Sequence, residues 1–351
     1  MSSTVPIAVL ISGRGSNLQA LIEASRGPTA PYEVVLVLSD QPAAAGLGVA
    51  RDLGIAARAL PVDRATPRAD YDRALPLLDA GLGQRQARPT SGRAVGAAYT
   101  LACKGCVLGD RGRFAEAEEY FSEALQLIGG ARHQIASAVR HWRCLVLQWQ
   151  GRWEEALRMA DDSAEIAEHT RCRHQMLVGR SMASYVRWVL KQRREDLQTL
   201  RDATAWIEAR NGRLAMSLNH SWMVEAALAT GNQAEARHYA ARLFMRTRQA
   251  DRLGEALGCR ALARNAAGLG QLARAEHYLA SAERAATARG SAHEHASNQL
   301  CEAEIRLAVG QAAQARALLD KAMNAFHSMS MAWHLDRARA ALRPAESPAP
   351  R

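Results

Sequence analysis

The stretch LACKGCVLGDRGRFAEAEEYFSEAL, residues 101 to 125, decides how most of this chain is read. Its small and apolar residues recur three and four apart on both sides of Gly112, the spacing of two amphipathic helices joined by a tight turn. The arrangement returns down the chain. Gly112, Gly151, Gly231, Gly270 and Gly310 each open a helix-forming segment and Lys191 fills the missing phase, so that successive spacings are 39, 40, 40, 39 and 40 residues. Ala117, Ala156, Ala236, Ala275 and Ala315 stand five residues after the glycines, and Phe121, Ala160, Ala240, Leu279 and Leu319 lie one helical turn further along the same face. Alanine and glycine let facing helices approach, and the larger residue fills the gap between helix pairs. A fixed period of this length is the mark of a repeat array. Residues 96–340 are therefore predicted to form about six helical pairs, and residues 341–351 a disordered tail.

Leu101, Gly105, Leu108, Ala117, Phe121 and Ala124 stand at the packing positions of the tetratricopeptide repeat, which this segment resembles. Two departures are plain: the period is nearer 40 than the family's roughly 34 residues, and the closing proline is missing. Longer helices follow, similar to the long repeats of bacterial signalling ATPases and regulators. The resemblance implies an α-solenoid whose first helices line a concave surface. Arg140, Arg143, Arg180, Arg187, Trp188, Asn219, Trp222 and Arg260 are the candidates for that surface. They read either as a groove for an acidic peptide or helix, or as scattered solvated arginines among buried tryptophans.

The N-terminal part follows other rules. Apolar runs at Ile7–Ile11, Val34–Leu38 and Ala56–Leu60 have strand length, and helical spacing in 17–24 and 46–53 separates them in a βαβαβ pattern. In such a unit the turn after the first strand presents a helix N-terminus, whose free N–H groups favour a phosphate. Gly13 and Gly15 let the backbone bend toward an anion, Ser16 adds a hydroxyl, and Asn17 is suited to cap the helix. The blocks ISGRGSNLQALIEA, VVLVLSDQPAAAGLGVARDLGIAARAL and PRADYDRAL, within residues 5 to 78, resemble the N-terminal part of phosphoribosylglycinamide formyltransferase. The resemblance implies a half Rossmann-like fold and a ribose 5-phosphate held by Gly15, Ser16 and Asn17. It also implies an Arg68 that touches 10-formyltetrahydrofolate, although a surface arginine at a helix start is an equal reading. Past Leu78 it stops. The family's Asn-x-His-Pro-Ser segment and later Asp have no counterpart, and LNHSW at 218–222 lacks both the spacer and the proline. No catalytic residue is therefore assigned, and no cofactor is expected to be used.

Charge divides along the same boundary. Residues 1–80 carry 7 Arg against 8 Asp and Glu, a net of −1, so the formal +10 of the chain leaves +11 for the remainder. Only Lys104, Lys191 and Lys321 are lysines, and no basic run with interleaved aromatics favours nucleic acid. No apolar run approaches the roughly 20 residues of a membrane span, and neither a leader segment nor a disulfide framework is apparent, which points to the cytoplasm. The CKGC segment at 103–106 lacks a second pair and reads as close packing, not as a zinc or redox site. His169, Cys172 and His174, and the HEH at 293–295, read as exposed loop residues with no assigned metal.

The Gly-, Pro- and Ser-containing segment 81–95 has no apolar period and is predicted to be a linker. The whole chain then reads as mostly α, a solenoid preceded by a partial α/β segment at residues 1–80, joined as a gene fusion or a misjoined reading frame. Three functions remain open: an interaction scaffold, a purine-synthesis formyltransferase completed by a partner chain, and the output or sensing region of a bacterial signalling regulator. Contacts in the array are expected between sequence neighbours, so residues 93–351 should fold alone while residues 1–80 should not.

Overall fold

The computed structural model describes residues 5–11, 16–27, 30, 32–39, 41–59, 91–129, 133–192, 195–210, 212, 216–249 and 251–342. They fall into two compact units, Met1–Asp70 and Tyr71–Arg351.

In the first unit, strands β1 (Val5–Ile11), β2 (Tyr32–Ser39) and β3 (Ala56–Ala59) form a parallel sheet in the order β1-β2-β3. Helices α1 (Ser16–Ser25) and α2 (Ala45–Asp52) supply the crossovers. Leu18 and Ile22 of α1 and Leu47 and Ala50 of α2 pack on Val34 and Val37 of β2. A strand of a parallel sheet covered by helices on both faces is apolar and buried throughout. Here Val35 of β2 is 42% exposed, and β1 pairs only with β2 among the described residues. The elements agree with the βαβαβ reading, and the layer they build is covered on one side.

The second unit is a helical solenoid. First helices of the pairs are α3 (Ser91–Asp110), α5 (Gln134–Gln150), α7 (Arg173–Lys191), α9 (Met216–Ala229), α11 (Glu255–Gly268), α13 (Ala292–Ala308) and α15 (Ala332–Leu342). Second helices are α4 (Phe114–Ile128), α6 (Trp153–His169), α8 (Asp196–Glu208), α10 (Gln233–Arg248), α12 (Leu272–Arg289) and α14 (Ala312–Ser328). Helix α3 starts at Ser91, inside the stretch expected to be linker, and the residues after Leu342 lie outside the described set.

The turns explain the period. Gly112, Gly151, Gly231, Gly270 and Gly310 all have φ between 72° and 82°, and in the phase without glycine Gln192, not Lys191, takes the left-handed conformation at φ 53°. After Gly151 the N–H of Arg152 bonds back to the Leu147 carbonyl at 2.9 Å, a helix-ending motif that Arg113, Asn232, Gln271 and Gln311 repeat. The recurring alanines and their partners one turn on are all buried, with Phe121 inaccessible against Gly105, where an added Cβ would lie 3.0 Å from the Phe121 ring.

One feature departs from a chain of nearest-neighbour contacts: the array closes on itself. Asp110 at the end of α3 binds Arg289 at the end of α12, with Nε to Oδ2 at 3.0 Å, and His293 of α13 reaches the same carboxylate at 3.1 Å. The turn glycines are also points of close approach, since a Cβ on Gly112 would strike Met329 and one on Gly151 would lie 2.9 Å from Trp333. First and last repeats thereby share one hydrophobic core, which runs from Ala98 and Phe121 to Phe326 and Ala338.

A second close approach gives a stability test. Gly254, just ahead of α11, donates its N–H to Ser217 Oγ at 3.0 Å, and a Cβ there would sit 2.1 Å from the Ser217 carbonyl oxygen, a backbone atom that must shift. Gly254→Ala should cost about 1–3 kcal/mol by chemical unfolding. Gly268→Ala, whose Cβ meets nothing within 4 Å, should be neutral or stabilising. Equal effects of the two would remove the close-approach argument.

Candidate functional site

The turn that the sequence singles out for phosphate lies between β1 and α1. Ser16 and Asn17 form the first residues of α1, which has no acidic residue in its first turn to oppose an anion. Gly13, Gly15 and Arg68 lie outside the described residues, as do the side chains of Ser16 and Asn17. What is described is a parallel strand feeding a helix, the arrangement that puts free N–H groups at the carboxyl edge of a sheet.

Asn219 and His220 are held by helix packing. Asn219 donates to Thr204 Oγ1 at 3.2 Å and His220 Nε2 meets Glu208 Oε1 at 3.0 Å, which ties α9 to α8. His220 is fully buried, and burial pushes its pKa down despite the nearby Glu208. Neither side chain is free to shuttle a proton for an external substrate.

Residues 5–78 match the formyl transferase family. Within this region the chain is 45% identical over 69 residues to the trifunctional purine biosynthetic protein adenosine-3 of Bos taurus, and 42% identical over 72 residues to that of Homo sapiens. The protein of that name from Gallus gallus is 39% identical over 74 residues. These alignments take in 20–21% of this chain and only 7% of the length of each relative. The similarity thus covers the α/β unit and the residues just after it.

Most residues around the cavity of the solenoid lie on the first helices, and the chemistry of the eight candidates differs from a basic groove. Arg143 pairs with Glu118, Arg187 with Asp161 and Arg180 with Glu168 at 3.5 Å, so that each charge is opposed by one from a neighbouring helix. Arg140 is half-buried and donates to the Ala136 carbonyl of its own helix at 3.0 Å, while Trp188 is buried. Trp222 and Arg260 alone of the eight candidates reach a central cavity of about 120 Å³.

Five aromatic side chains from four helix pairs line this cavity: Trp149, Trp153, Tyr185, Trp222 and Trp333. Tyr185 stacks on Trp222 with centroids 4.7 Å apart, Trp149 stacks on His293 at 4.8 Å, and Trp153 meets Trp333 edge-on at 5.4 Å. Leucines such as Leu218 and Leu257 and a set of charged groups form much of the rest of the wall. Arg260 pairs with Glu294 and donates to Asn298 at 2.9 Å, while Arg264 and Arg337 share the Glu304 carboxylate at 2.7 and 2.8 Å. Tyr185 donates its hydroxyl to Glu225 at 2.7 Å.

The HEH motif belongs to this wall, which corrects its reading as exposed loop. His293 and Glu294 are buried because they open α13 on its inward side, and only His295, bound to Glu283 at 2.7 Å, retains substantial exposure. Cys106 of the CKGC segment is buried and burial raises its thiol well above the usual range, which keeps it protonated and inert. Among the described residues no group of three or more His, Cys, Asp or Glu side chains is placed to hold a metal, and no helix is long and apolar enough to cross a membrane.

Proposed function

We propose that the chain is a cytoplasmic interaction scaffold, a tetratricopeptide-like solenoid fused to a truncated phosphate-binding segment, and that it does not transfer formyl groups by itself. The observation that carries this reading is the end of the formyl transferase match at residue 78, with α3 of the solenoid already formed from Ser91. Formyl transfer needs a proton carrier and donors for the tetrahedral oxyanion. The only Asn and His beside each other in the array are consumed by Thr204 and Glu208. Arg68, which the resemblance assigns to 10-formyltetrahydrofolate, lies outside the described residues.

Purified chain at micromolar concentration, given glycinamide ribonucleotide and 10-formyltetrahydrofolate, should show no folate absorbance change above the uncatalysed rate. Turnover abolished by changing Asn17 would overturn the reading. The second reading, an enzyme completed by a partner chain, draws on the one-sided pairing of β1, which leaves an edge for further strands. It requires activity to appear when the missing part of a formyltransferase is added in trans. Any residual affinity is proposed for a ribose 5-phosphate at Gly15, Ser16 and Asn17, at millimolar strength or weaker for want of other contacts.

The partner of the solenoid is proposed to be acidic, in keeping with the +11 net charge outside residues 1–80. A fluorescent oligoglutamate peptide should bind with an affinity that falls as salt rises, and charge reversal at Arg140 and Arg180 should weaken it severalfold. Salt-independent binding, or binding untouched by both reversals, would count against this groove.

A further inference from the structure

The lumen of the solenoid has a composition that a scaffold does not require. Four of the seven tryptophans of the chain line one cavity of about 120 Å³, together with Tyr185. The rings meet in pairs, Tyr185 on Trp222 and Trp153 on Trp333, yet the pairs still leave this space between them and the neighbouring helices. Buried ionic groups are equally costly to retain in a core that apolar residues could fill. Arg260 and Glu294 are almost wholly buried, and both face the cavity.

The charges specify what the space suits. Three arginines and three glutamates stand at this wall and just behind it: Arg260 pairs with Glu294, Arg264 and Arg337 share Glu304, and Glu225 accepts from the Tyr185 hydroxyl. His334 adds no charge near neutrality, because burial and the nearby His293, Arg260 and Arg337 push its pKa down to about 3. Each guanidinium already has a carboxylate, and Glu225 already accepts from Tyr185, so the numbers of positive and negative groups balance. The wall carries both donors and acceptors, among them Gln148, Ser297, Arg264 and Glu225, which suits the edge of an uncharged ring that carries both.

Trp153 supplies a second, independent sign. The residue is 8% exposed, lines the cavity, and its indole N–H has no acceptor among the described residues. An indole N–H that is buried ordinarily has a partner, and leaving it without one costs free energy. An acceptor on a bound molecule would satisfy it. Size completes the description, since a cavity somewhat below the roughly 150 Å³ known to take a benzene holds one six-membered ring.

We propose that the lumen of the solenoid binds an uncharged, single-ring heteroaromatic molecule, bordered by the Trp149, Tyr185 and Trp222 rings and accepting a hydrogen bond from Trp153. The proposal is independent of whether the chain also holds a protein partner or lacks formyl transfer. Any substituent beyond the ring points out of the cavity.

Isothermal calorimetry on the full chain tests it with uracil and nicotinamide as uncharged heteroaromatic probes, benzoate and benzylammonium as charged rings, and glucose as an uncharged ring without aromatic faces. One of the two heteroaromatic probes should bind one to one with a Kd of about 10 μM to 1 mM, as expected for a ligand of so few atoms. The charged rings and glucose should bind at least tenfold more weakly. Trp153→Phe, which keeps the ring and deletes the N–H, should weaken the heteroaromatic probe about threefold to tenfold. Leu257→Trp should fill the space and abolish binding while the chain still melts cooperatively. If Leu257→Trp fails to fold, the Trp153→Phe result decides alone. No binding of either heteroaromatic probe at 5 mM would overturn the proposal. So would equal affinity for benzoate or benzylammonium, preference for glucose, or binding indifferent to Trp153→Phe.

Discussion

Arg289→Met should remove about 3–5 kcal/mol of stability, because it strands two buried carboxylates that the guanidinium now serves. Arg289 is 3% exposed at the end of α12, lies on Asp110 of α3 and approaches Glu294 Oε1 at 3.8 Å. Burial alone would raise the Asp110 carboxyl, but the charge of Arg289 and the hydrogen bond from His293 outweigh it and hold the group well below the ordinary carboxylate range. Without Arg289 the carboxylate must be buried uncompensated or take up a proton. The melting temperature should fall by roughly 10 °C, given about 2–4 °C per kcal/mol for a unit of this size. Loss should also be local, since Asp110 and Arg289 are 179 residues apart and join elements that are not sequence neighbours. Amide hydrogen exchange should quicken first in α3 and α13. Asp110→Leu combined with Arg289→Met should recover much of the loss, because removing both partners leaves no stranded charge. A single-variant cost below about 1 kcal/mol, or uniform exchange across the solenoid, would show that this ion pair does not close the array.

That closure marks where the sequence stops being legible. The period of the turns, the buried alanines at Ala117, Ala156, Ala236, Ala275 and Ala315, and the strands near Ile7, Val34 and Ala56 are all local signals, and the fold follows them. Local periodicity, however, reports contacts between adjacent helices. It carries no information on whether the first repeat meets the last. Gly112 and Gly151 stand out in the sequence as turn residues, and positive φ accounts for them fully, so their second use against Met329 and Trp333 leaves no separate trace. The HEH segment reads as exposed loop for the same reason: its burial against Asp110 and Trp149 depends on helices far away in the chain. Tryptophans were the available signal for the lumen. Trp149, Trp222 and Trp333 lie on first helices, whose inner face the repeat pattern predicts, but Trp153 opens a second helix, and its meeting with Trp333 depends on the closure. The missing glycine at Lys191 was correctly placed to within one residue, because the turn is set by the period and Gln192 tolerates the left-handed conformation that a glycine would take without strain.

Acid should destabilise the solenoid well before its carboxylates titrate. Three histidines carry the effect: burial, reinforced by the neighbouring His174, pushes His141 down to about 3, His334 falls to about 3 through burial and the neighbours named above, and burial also lowers His220. In the unfolded chain all three titrate near 6.5. A folded pKa below the unfolded one means that the unfolded state binds more protons as the pH drops, so stability is complete above about pH 6.5 and is lost on the way down toward pH 3. Asp110, Glu294 and Glu304 are also depressed, with burial opposed in each case by arginine, but their loss begins only as the pH falls through the ordinary carboxylate range near 4. His295 has the opposite sign, because its hydrogen bond to Glu283 raises it, so its contribution is present at low pH and is lost as the pH rises through its folded pKa. That pair is substantially exposed and contributes little. Between pH 6.5 and 5 each fully buried neutral histidine should therefore cost about 2 kcal/mol. His141, only 6% exposed, should approach that figure, while His334 retains more exposure and should fall short of it. His141→Leu isolates the first term. The His141 Nε2 atom has no hydrogen-bond partner among the described residues and the ring otherwise meets Gln175, which does not titrate, so the substitution removes a titrating group without stranding a charge. Denaturant unfolding at pH 7.5, 6.5, 5.5 and 5.0 should give a gap between variant and parent that moves in the variant's favour by up to about 1.4 kcal/mol per pH unit below 6.5. Parallel curves over that interval would mean that His141 is protonated in the folded chain and that its burial has been misjudged.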